Sequence, residues 1–355
     1  MKKALILLNM GGPNNLSEVE VFLKNMFNDP FILGVKSDFW RSVLAALIVR
    51  SRAAAARSNY EKLGGRSPIC SITEALCERV NELARAELSA GLKFKGAADA
   101  SAAGEPPQEA QAQGEPSQNA ALQDEKPIDE LICDYAMNYT PPFAEDVFKK
   151  YADFDEIILM PLYPHFSKTT VQSSLCSTEA ALKRLGIKNY KIVDIFYDSA
   201  AYNEILLNLI AECVAKFSAD EISQISLIFS AHSLPIKMIA AGDPYEAQVK
   251  AHVEILKDLL AARGIKFKEI ILAYQSRLGP VKWLEPNVAD VLRDLQSKKA
   301  LIFPIAFCVD NSETDFELDI FYRASARELG YEYYEVCKCP NSREDFAKFI
   351  LAQAL

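Results

Sequence analysis

The sequence predicts an α/β protein made of two similar, doubly wound halves with parallel sheets. Short apolar runs of the length of buried strands alternate with helical segments along most of the chain. The alternation starts at the N-terminus, is interrupted once by a low-complexity stretch, and begins a second series near residue 190. A length of 355 residues leaves room for two such halves.

Composition and charge argue against several classes of protein. Half of the residues are hydrophobic and 25% are charged, and the net charge of −9 argues against a nucleic-acid partner. No apolar run approaches the roughly 20 residues of a transmembrane helix, and the run after Lys2 and Lys3 is too short for a signal peptide. The eight scattered cysteines are therefore expected to be reduced thiols of a cytoplasmic protein.

The first half begins with a strand expected over Lys3–Asn9. It runs into the tight turn Met10-Gly11-Gly12-Pro13, and a helix is expected from Ser17. The turn lacks the G-x-G-x-x-G spacing of a dinucleotide site, so a tight turn without a ligand stays an open alternative. A helix and two strands are expected next, over Ile72–Ala90, Asp129–Ala136 and Glu156–Leu162.

The stretch Phe31–Ser67 combines apolar and basic residues in an otherwise acidic chain. Phe39, Trp40 and Val43–Val49 are apolar, and arginines and lysines lie among and after them. One interpretation is an amphipathic surface for an anionic amphiphile or a membrane face. The other is a core helix with a solvated basic flank, which the segment taken alone favours.

Residues 97–126 form an insertion of alanine, glycine, glutamate, proline, glutamine and serine. Such a composition has almost no large apolar side chains to bury, so we expect a mobile, disordered surface insertion. Because the α/β alternation resumes after it, we place it inside the first domain. The predicted domains are 1–177 and 178–324, and a C-terminal strand and helix follow in 325–355.

The most informative strand of the second half lies in Ile225–Pro235. Its apolar centre ends at small polar residues that lead to His232. Open α/β sheets bind ligands outside the carboxyl ends of their strands, so His232 lies where such a fold does its chemistry. A histidine with a purely structural role is an equally good interpretation of this position alone. Further strands are expected over Glu269–Tyr274, Ala300–Ala306 and Tyr331–Val336.

An acidic row follows the Ala300–Ala306 strand. On a helix, Glu313 and Glu317 would share one face, with Asp310 one turn earlier. Like charges at this spacing repel each other, and a cation or a proton would relieve the repulsion. Together with the imidazole of His232, the carboxylates would suit a divalent metal such as Fe²⁺. The alternative is a solvated acidic helix start, which is common.

Seven sequence blocks, taken in order, resemble one known family. They are LNMGGP (Leu8–Pro13), YEKLGGRSP (Tyr60–Pro68), MPLYPHFS (Met160–Ser167), SAHSLP (Ser230–Pro235), GDPYEAQV (Gly242–Val249), YQSRLGPVKWLEP (Tyr274–Pro286) and PIAFCVDNSETDFELD (Pro304–Asp319). The chain resembles the ferrochelatases from end to end, apart from the insertion. The resemblance implies the chelatase fold, in which two Rossmann-like domains with parallel sheets enclose an active cleft and the last helix returns to the first domain.

The resemblance also implies a lyase of haem biosynthesis that inserts Fe²⁺ into protoporphyrin IX to give protohaem. His232 matches the catalytic, metal-binding histidine of the family, and Glu313 matches its glutamate partner. A neutral imidazole can accept a pyrrole proton near neutral pH. Asp310 and Glu317 are expected to guide the metal in or protons out.

Several positions are expected to bind the porphyrin. Met10 matches the residue that covers the macrocycle face opposite His232. The branch of the family that uses coproporphyrin has tyrosine there, so methionine favours protoporphyrin. Three positions on the cleft lip match porphyrin contacts, among them the expected propionate partner Arg52: Arg52, Tyr60 and Ser67. Bulky side chains expected to hold a distorted macrocycle are Met10, Tyr139, Trp283 and Phe307.

The chain departs from some relatives in two places. Asn311 stands where some of them have a further histidine, so that imidazole is missing. Some relatives also carry an iron–sulfur cluster held largely by cysteines after the last helix. Here only the pair Cys337 and Cys339 lies near the end, so such a cluster is not expected, and neither is any cofactor beyond the substrate Fe²⁺.

Two other functions remain alternatives to protoporphyrin ferrochelatase. One is a chelatase for another metal or tetrapyrrole, such as cobalt or coproporphyrin. The other is a non-catalytic haem or metal carrier, which the retention of His232 and Glu313 argues against. The apolar and basic segment before Ser67 further predicts a weak, peripheral contact with the inner face of the membrane.

Overall fold

The computed structural model of the protein describes residues 1–90, 127–277, 279 and 281–355. Within those residues it contains two four-stranded sheets, and every strand pairing is parallel. This confirms the predicted α/β class with two sheets. The insertion predicted at 97–126 lies outside the described residues.

The two sheets have the same topology. The first runs in the order β2-β1-β3-β4, with strands β1 Lys2–Asn9, β2 Glu130–Met137, β3 Glu156–Pro161 and β4 Tyr190–Ile192. The second runs in the order β6-β5-β7-β8, with strands β5 Ser226–His232, β6 Glu269–Gln275, β7 Lys299–Phe303 and β8 Tyr333–Val336. Since the first strand of each half lies between the next two, the chain traces one doubly wound pattern twice.

The strands form from apolar runs because both faces of each sheet are covered. From Lys3 onward β1 is buried along its whole length, and all six residues of β3 are buried. A strand buried on both faces reads as a continuous apolar run rather than an alternating one.

Helices fill the connections between the strands. In the first half they are α1 Val19–Asn28, α2 Pro30–Leu33, α3 Asp38–Lys62, α4 Ile69–Ser89, α5 Ala144–Phe148 and α6 Ser173–Leu185. In the second half they are α7 Ala200–Val214, α8 Ala219–Ile222, α9 Ile236–Ala240, α10 Tyr245–Ala262, α11 Val288–Asp294, α12 Arg323–Glu328 and α13 Glu344–Ala352. Two 3₁₀ turns, Leu16–Glu18 and Lys149–Tyr151, and two π-helices, Lys168–Gln172 and Glu313–Tyr322, complete the described elements.

Two glycines shape the turn after β1. Gly11 has a φ of +82°, and a Cβ there would lie 2.4 Å from Oγ1 of Thr140. A Cβ on Gly12 would lie 2.6 Å from Cβ of Ser67. The turn therefore packs directly on the segments that carry Thr140 and Ser67, an approach that only glycine permits.

The boundary between the halves differs from the prediction in two places. We expected β4 to open the second domain after residue 177, but β4 pairs with β3 and completes the first sheet. The predicted C-terminal strand, β8, pairs with β7 and belongs to the second sheet. Apolar periodicity marks a strand but carries no information about its partner, which accounts for both errors.

The last helix does pack on the first half, as expected. Helix α13 lies against α4, and the Lys3 ammonium donates to the carbonyl of Ala354 at 3.3 Å. One continuous cluster of buried side chains joins the halves, from Leu5 and Leu76 to Phe346 and Ile350. The two sheets are thus fixed to each other by a shared core.

Helix α3 leaves apolar side chains on the surface. Phe39, Trp40 and Leu47 are 67%, 64% and 62% exposed. A core helix would bury these side chains, so their exposure argues against the interpretation of this segment as a core helix. In the described part of the chain, no helix has both the length and the apolar character needed to cross a bilayer.

Candidate active site

A cavity lies between the carboxyl ends of the two sheets. It has an empty volume of about 940 Å³, part of it open to solvent. Residues from both halves line it: Asn9, Met10, Met26, Ile32, Ile69, Tyr139, Leu162, Tyr163, His165, Ser167, Thr169, Thr170, His232, Leu234, Tyr245, Ala306, Phe307, Cys308, Val309, Asn311 and Glu313. The wall is mainly apolar, polar side chains of both halves lie in it, and one side of it carries His232 and Glu313.

The polar side of the cavity is built on His232 and Glu313. His232 is the last residue of β5, and Glu313 begins the π-helix that follows β7. Since β5 and β7 are neighbours in the sheet, their carboxyl ends bring the two side chains together. Nδ1 of His232 donates to Oε2 of Glu313 at 2.7 Å. This bond leaves the Nε2 lone pair of His232 free to accept a proton.

The contact between His232 and Glu313 shifts the pKa values of both residues. Burial by itself would lower the pKa of His232, but the charge of Glu313 and its hydrogen bond outweigh burial and raise that pKa above its ordinary value. Burial would raise the pKa of Glu313, but His232, Gln275 and Ser276 outweigh it and lower that pKa. The site therefore favours an imidazole that binds a proton readily beside a carboxylate that stays ionised.

A second carboxylate, Glu317, lies on the same side. The Ser276 amide donates to Oε1 of Glu317 at 2.9 Å, and the single hydroxyl hydrogen of Ser276 is shared between Glu317 and Glu313, whose Oε2 lies 3.1 Å away. Burial and the charge of Glu313 raise the pKa of Glu317. The predicted shared face of Glu313 and Glu317 is present, on a π-helix rather than an α-helix, and π-helices are frequent at functional sites.

Asp310 is not part of this carboxylate group, which corrects its predicted place. Its carboxylate accepts from the amide of Cys339 at 3.2 Å and from Nδ2 of Asn341 at 2.8 Å, and it is 2% exposed. The residue precedes the π-helix and faces the segment after β8, so helical spacing did not apply to it. Asn311, where a further imidazole was missing, does line the cavity.

The expected porphyrin-binding residues separate into two groups. Met10, Tyr139 and Phe307 line the cavity. Arg52, Tyr60, Ser67 and Trp283 do not; Ser67 packs on Gly12, and the Tyr60 hydroxyl reaches Oγ of Ser312 at 3.4 Å. Trp283 forms an isolated bridge with Pro235, and Arg52 lies half-buried on α3. The resemblance placed Arg52, Tyr60 and Ser67 on the lip of the cleft rather than in its wall, and porphyrin binding by all four residues stays a prediction.

A buried chain of polar side chains stands behind the cavity. Nε2 of His165 lies 2.9 Å from Nδ1 of His252, and Nε2 of His252 lies 2.8 Å from Oδ1 of Asn203. Burial lowers the pKa of His252 to about 3, and burial followed by His252 lowers the pKa of His165 well below its ordinary value. Both rings are therefore neutral. In the sequence His165 lies within the block MPLYPHFS, which gives no sign of this contact.

The GDPYEAQV block holds the two halves together at the cavity. Asp243 accepts from the Ser167 hydroxyl at 3.0 Å and from the Lys168 amide at 2.8 Å. Gln248 accepts from the Phe166 amide at 2.7 Å. The segment after β3 is thereby fixed to the start of α10, and the width of the cavity is fixed with it.

Two further contributors, Gln275 and Ser276, were not singled out from the sequence. Gln275 ends β6 next to β5, and Ser276 follows it with a φ of +68°, in the left-handed region that favours glycine. Nothing in the residue types signals that conformation. Knowing that β6 neighbours β5 would have placed both residues beside His232.

The cysteines do not form a metal site in the described residues. Cys337 and Cys339 are buried, and the Sγ atoms of Cys337 and Cys213 lie 2.9 Å apart. Among the residues described, no group of three or more histidine, cysteine or acidic side chains has a geometry that could hold a metal ion.

Comparisons with solved structures give distant similarities. A multi-domain protein of Deinococcus radiodurans, described as structurally similar to chelatases, matches with a TM-score of 0.46 and 11% identity, over 99% of this chain and 55% of that chain. SirB from Bacillus subtilis, solved with Fe³⁺, matches with a TM-score of 0.45 and 11% identity, over 64% of this chain and 82% of that chain.

Sequence comparisons show much higher similarity to known proteins than the structural comparisons do. A ferrochelatase from Campylobacter fetus subsp. fetus is 50% identical over 99% of this chain and 98% of its own length. Ferrochelatases from Campylobacter concisus and Sulfurimonas denitrificans are 46% and 41% identical, over 100% and 99% of this chain and 98% and 97% of their own lengths. The family model for ferrochelatase matches residues 2–102 and 98–354. The chain therefore belongs to the ferrochelatase family.

Proposed function

We propose that this chain inserts Fe²⁺ into protoporphyrin IX, and that His232 accepts the pyrrole protons released in the cavity. Membership of the family makes the chain a metal chelatase that acts on iron and porphyrin in haem biosynthesis. The choice of porphyrin and the roles of individual residues go beyond that membership.

One observation carries the proposed mechanism: the 2.7 Å bond from His232 to Glu313 at the cavity wall. Metallation removes two protons from pyrrole nitrogens, so a base must stand beside the macrocycle. The bond fixes the Nδ1–H tautomer and leaves Nε2 as the acceptor. The carboxylate of Glu313 stabilises the imidazolium that forms when the proton arrives.

Glu317 supports the departure of the proton. It shares the hydroxyl of Ser276 with Glu313, and its raised pKa lets it hold a proton more readily than an ordinary carboxyl group. We propose that protons pass from His232 through Glu313 to Glu317. The same pair of carboxylates would attract Fe²⁺ toward the cavity.

The chemistry of the cavity wall supports protoporphyrin rather than coproporphyrin. Protoporphyrin carries two propionates and coproporphyrin carries four. None of the side chains that line the cavity, all within the described part of the chain, belongs to a lysine or an arginine. Met10, Tyr139 and Phe307 offer apolar surface to the disc and bulk that could hold it out of plane.

The test of this proposal is a comparison of the two porphyrins as substrates. We expect kcat/KM with Fe²⁺ under anaerobic conditions to be higher for protoporphyrin IX than for coproporphyrin III. The reverse order would contradict the proposed substrate and leave the family assignment untouched. Competition between Fe²⁺ and Co²⁺, with analysis of the product, tests the metal in the same assay.

We further propose that the exposed face of α3 touches an anionic bilayer surface. The exposed side chains of Phe39, Trp40 and Leu47 lie on the helix that also carries the exposed Arg50 and Arg57. Each basic side chain close to an anionic surface contributes about 1 kcal/mol, which gives reversible association. Protoporphyrin is poorly soluble in water, so a bilayer is a suitable source for it.

Sedimentation with vesicles tests this surface. We expect binding to vesicles that contain anionic lipid at low salt, release at high salt, and weaker binding after Arg50→Glu with Arg57→Glu. Lys149→Glu with Lys150→Glu, an equal change of net charge in the 3₁₀ turn Lys149–Tyr151, is the matched control. Equal sedimentation with purely zwitterionic vesicles would contradict the role given to charge.

A further inference from the structure

The end of α7 packs along β8 in the second half of the chain. Phe217 meets Tyr333 edge-on, with ring centroids 5.1 Å apart. The Lys216 ammonium lies 3.0 Å from Oε2 of Glu335 and 5.6 Å from the centroid of the Tyr333 ring. These contacts hold the chain at the end of α7 against the last strand of the second sheet.

Two cysteines continue this contact. Cys213 lies in the last turn of α7, and Cys337 directly follows β8. Their Sγ atoms lie 2.9 Å apart. The amide of Cys337 donates to the carbonyl of Ile302 on β7 at 2.8 Å, so the sheet also fixes the backbone of Cys337. The sulfurs of a disulfide are about 2.05 Å apart, so a bond between these two requires a movement of about 1 Å.

The two thiols differ in access and in acidity. Cys213 is half-buried, whereas Cys337 is 1% exposed. The hydrogen bond from Cys337 lowers the pKa of the Cys213 thiol and outweighs the opposing effects of burial and of nearby glutamates. Burial raises the pKa of Cys337 well above its ordinary value. Since the thiolate is the form that reacts with oxidants, Cys213 is the thiol that reacts first.

The other cysteines differ from this pair. Cys176 is exposed, but partial burial and the charge of Glu179 raise the pKa of its thiol. Cys77 and Cys133 contact each other, but both are buried, and burial raises the pKa of Cys77 well above its ordinary value. Among the described residues, only the pair of Cys213 and Cys337 combines a contact between two sulfurs with access from solvent.

We propose that Cys213 and Cys337 are a site of reversible oxidation, at which hydrogen peroxide converts the two thiols into one disulfide. The Cys213 thiolate attacks one peroxide oxygen, the O–O bond breaks, and a sulfenic acid forms as hydroxide leaves and takes up a proton. The sulfur of Cys337 then attacks the sulfenic sulfur, the S–O bond breaks, and a water molecule leaves. In total, two thiols are oxidised and one peroxide is reduced to two waters.

The disulfide would close a ring around the second half. The two cysteines are 124 positions apart, and the chain between them contains all four strands of the second sheet together with His232 and Glu313. A cross-link over so long a loop removes conformational entropy from the unfolded chain. Fe²⁺ that meets dioxygen generates peroxide, so a protein that acts on iron encounters this oxidant. The oxidised form should therefore keep this half folded more firmly under the conditions that produce it.

Peptide mapping of the wild type tests the site without any substitution. The protein is treated with stoichiometric hydrogen peroxide in the absence of iron, the remaining thiols are alkylated, and the unreduced digest is analysed by mass spectrometry. We expect the peptide of Cys213 to be linked to that of Cys337, and the buried Cys77 and Cys133 to remain unlinked. Separate recovery of the Cys213 and Cys337 peptides would overturn the proposal.

Cys337→Ser separates the two steps of the reaction. Serine keeps a hydroxyl that can donate to Cys213, but it cannot form the disulfide. We expect peroxide to leave a sulfenic acid on Cys213 in this variant, where dimedone traps it, and much less dimedone adduct in the wild type. Equal labelling of Cys213 in the two proteins would mean that Cys337 does not react with the sulfenic acid, and would overturn the proposal.

Thermal unfolding tests the effect of the closed ring. We expect peroxide to raise the melting temperature of the wild type by about 5 °C, and dithiothreitol to reverse the rise. Cys176→Ser, which removes an exposed thiol on α6, is the matched control and should respond as the wild type does. Cys213→Ser should not respond. An equal rise in Cys213→Ser, or a rise that persists after reduction, would overturn the proposal.

Discussion

Glu313→Gln is the substitution that examines the contact between His232 and Glu313 most closely. Glutamine has nearly the shape of glutamate, so the 2.7 Å contact with Nδ1 of His232 can persist. The change removes the negative charge that stabilises the imidazolium. The contacts from Gln275 at 3.2 Å and from Ser276 at 3.1 Å lose a charged acceptor as well.

The expected loss follows from the type of hydrogen bond. A bond to a charged group contributes about 1.5–3 kcal/mol and a neutral bond about 0.5–1.5 kcal/mol. The side chain of His232 is 37% exposed, so solvent screens part of the difference, and we take about 1 kcal/mol. We therefore expect kcat to fall about fivefold.

The pH dependence has a definite sign. In the wild type the pKa of His232 is raised above 6.5, so the proton-accepting neutral ring appears only above that pH. The charged pair stabilises the fold fully below pH 6.5, and this contribution is lost as the pH rises through the raised pKa. In Glu313→Gln the charge that raises the pKa of His232 is gone, while burial still lowers that pKa. The neutral ring should therefore form at lower pH, and the rise of kcat/KM with pH should move to lower pH with it.

The assay is kcat/KM against pH for both proteins, measured anaerobically. Glu254→Gln, an exposed change on α10, serves as the control and should follow the wild type. If the midpoint of the kcat/KM profile of Glu313→Gln is unchanged or lies at higher pH, the contact with Glu313 is not what raises the pKa of His232.

The remaining predictions concern other parts of the site. His232→Ala should abolish metallation while fluorescence titration still shows porphyrin binding; near-normal turnover would rule out His232 as the base. Asp310→Ala should reduce the free energy of unfolding by about 2 kcal/mol, because one buried and one partly buried donor lose their acceptor, while kcat changes less than twofold. Chemical denaturation and steady-state kinetics test this prediction. An unchanged free energy of unfolding together with a lower kcat would contradict it. Arg52→Glu should raise the KM for porphyrin if Arg52 meets a propionate in the complex, and an unchanged KM would exclude that contact.

Much of the fold followed from the sequence because buried strands have a distinctive pattern. The run from Leu227 to Phe229 is wholly buried, and β5 ends at His232 as expected. The assignment of β4 and β8 to sheets failed because a strand of three or four residues carries no signal of its neighbour. Pairing is decided by how helices of both halves pack.

The contact between His232 and Glu313 was predicted and the groups around it were not, and the catalytic roles of the two residues stay predictions. The resemblance placed His232 and Glu313, and the parallel pairing of β5 with β7 explains why they meet. Asp310 was misplaced because its carboxylate caps the segment after β8, a contact between distant parts of the chain. The His165–His252 contact joins residues 87 positions apart, so no local sequence pattern could predict it.

The most direct test of the account is the loss of free-porphyrin fluorescence under anaerobic conditions. Purified protein is mixed with Fe²⁺ and protoporphyrin IX, and His232→Ala serves as the paired sample. We predict that fluorescence falls with turnover as haem absorption appears in the wild type, and that it persists in the variant. Persistent fluorescence in the wild type would contradict the proposed reaction, and equal loss in both samples would contradict the role of His232.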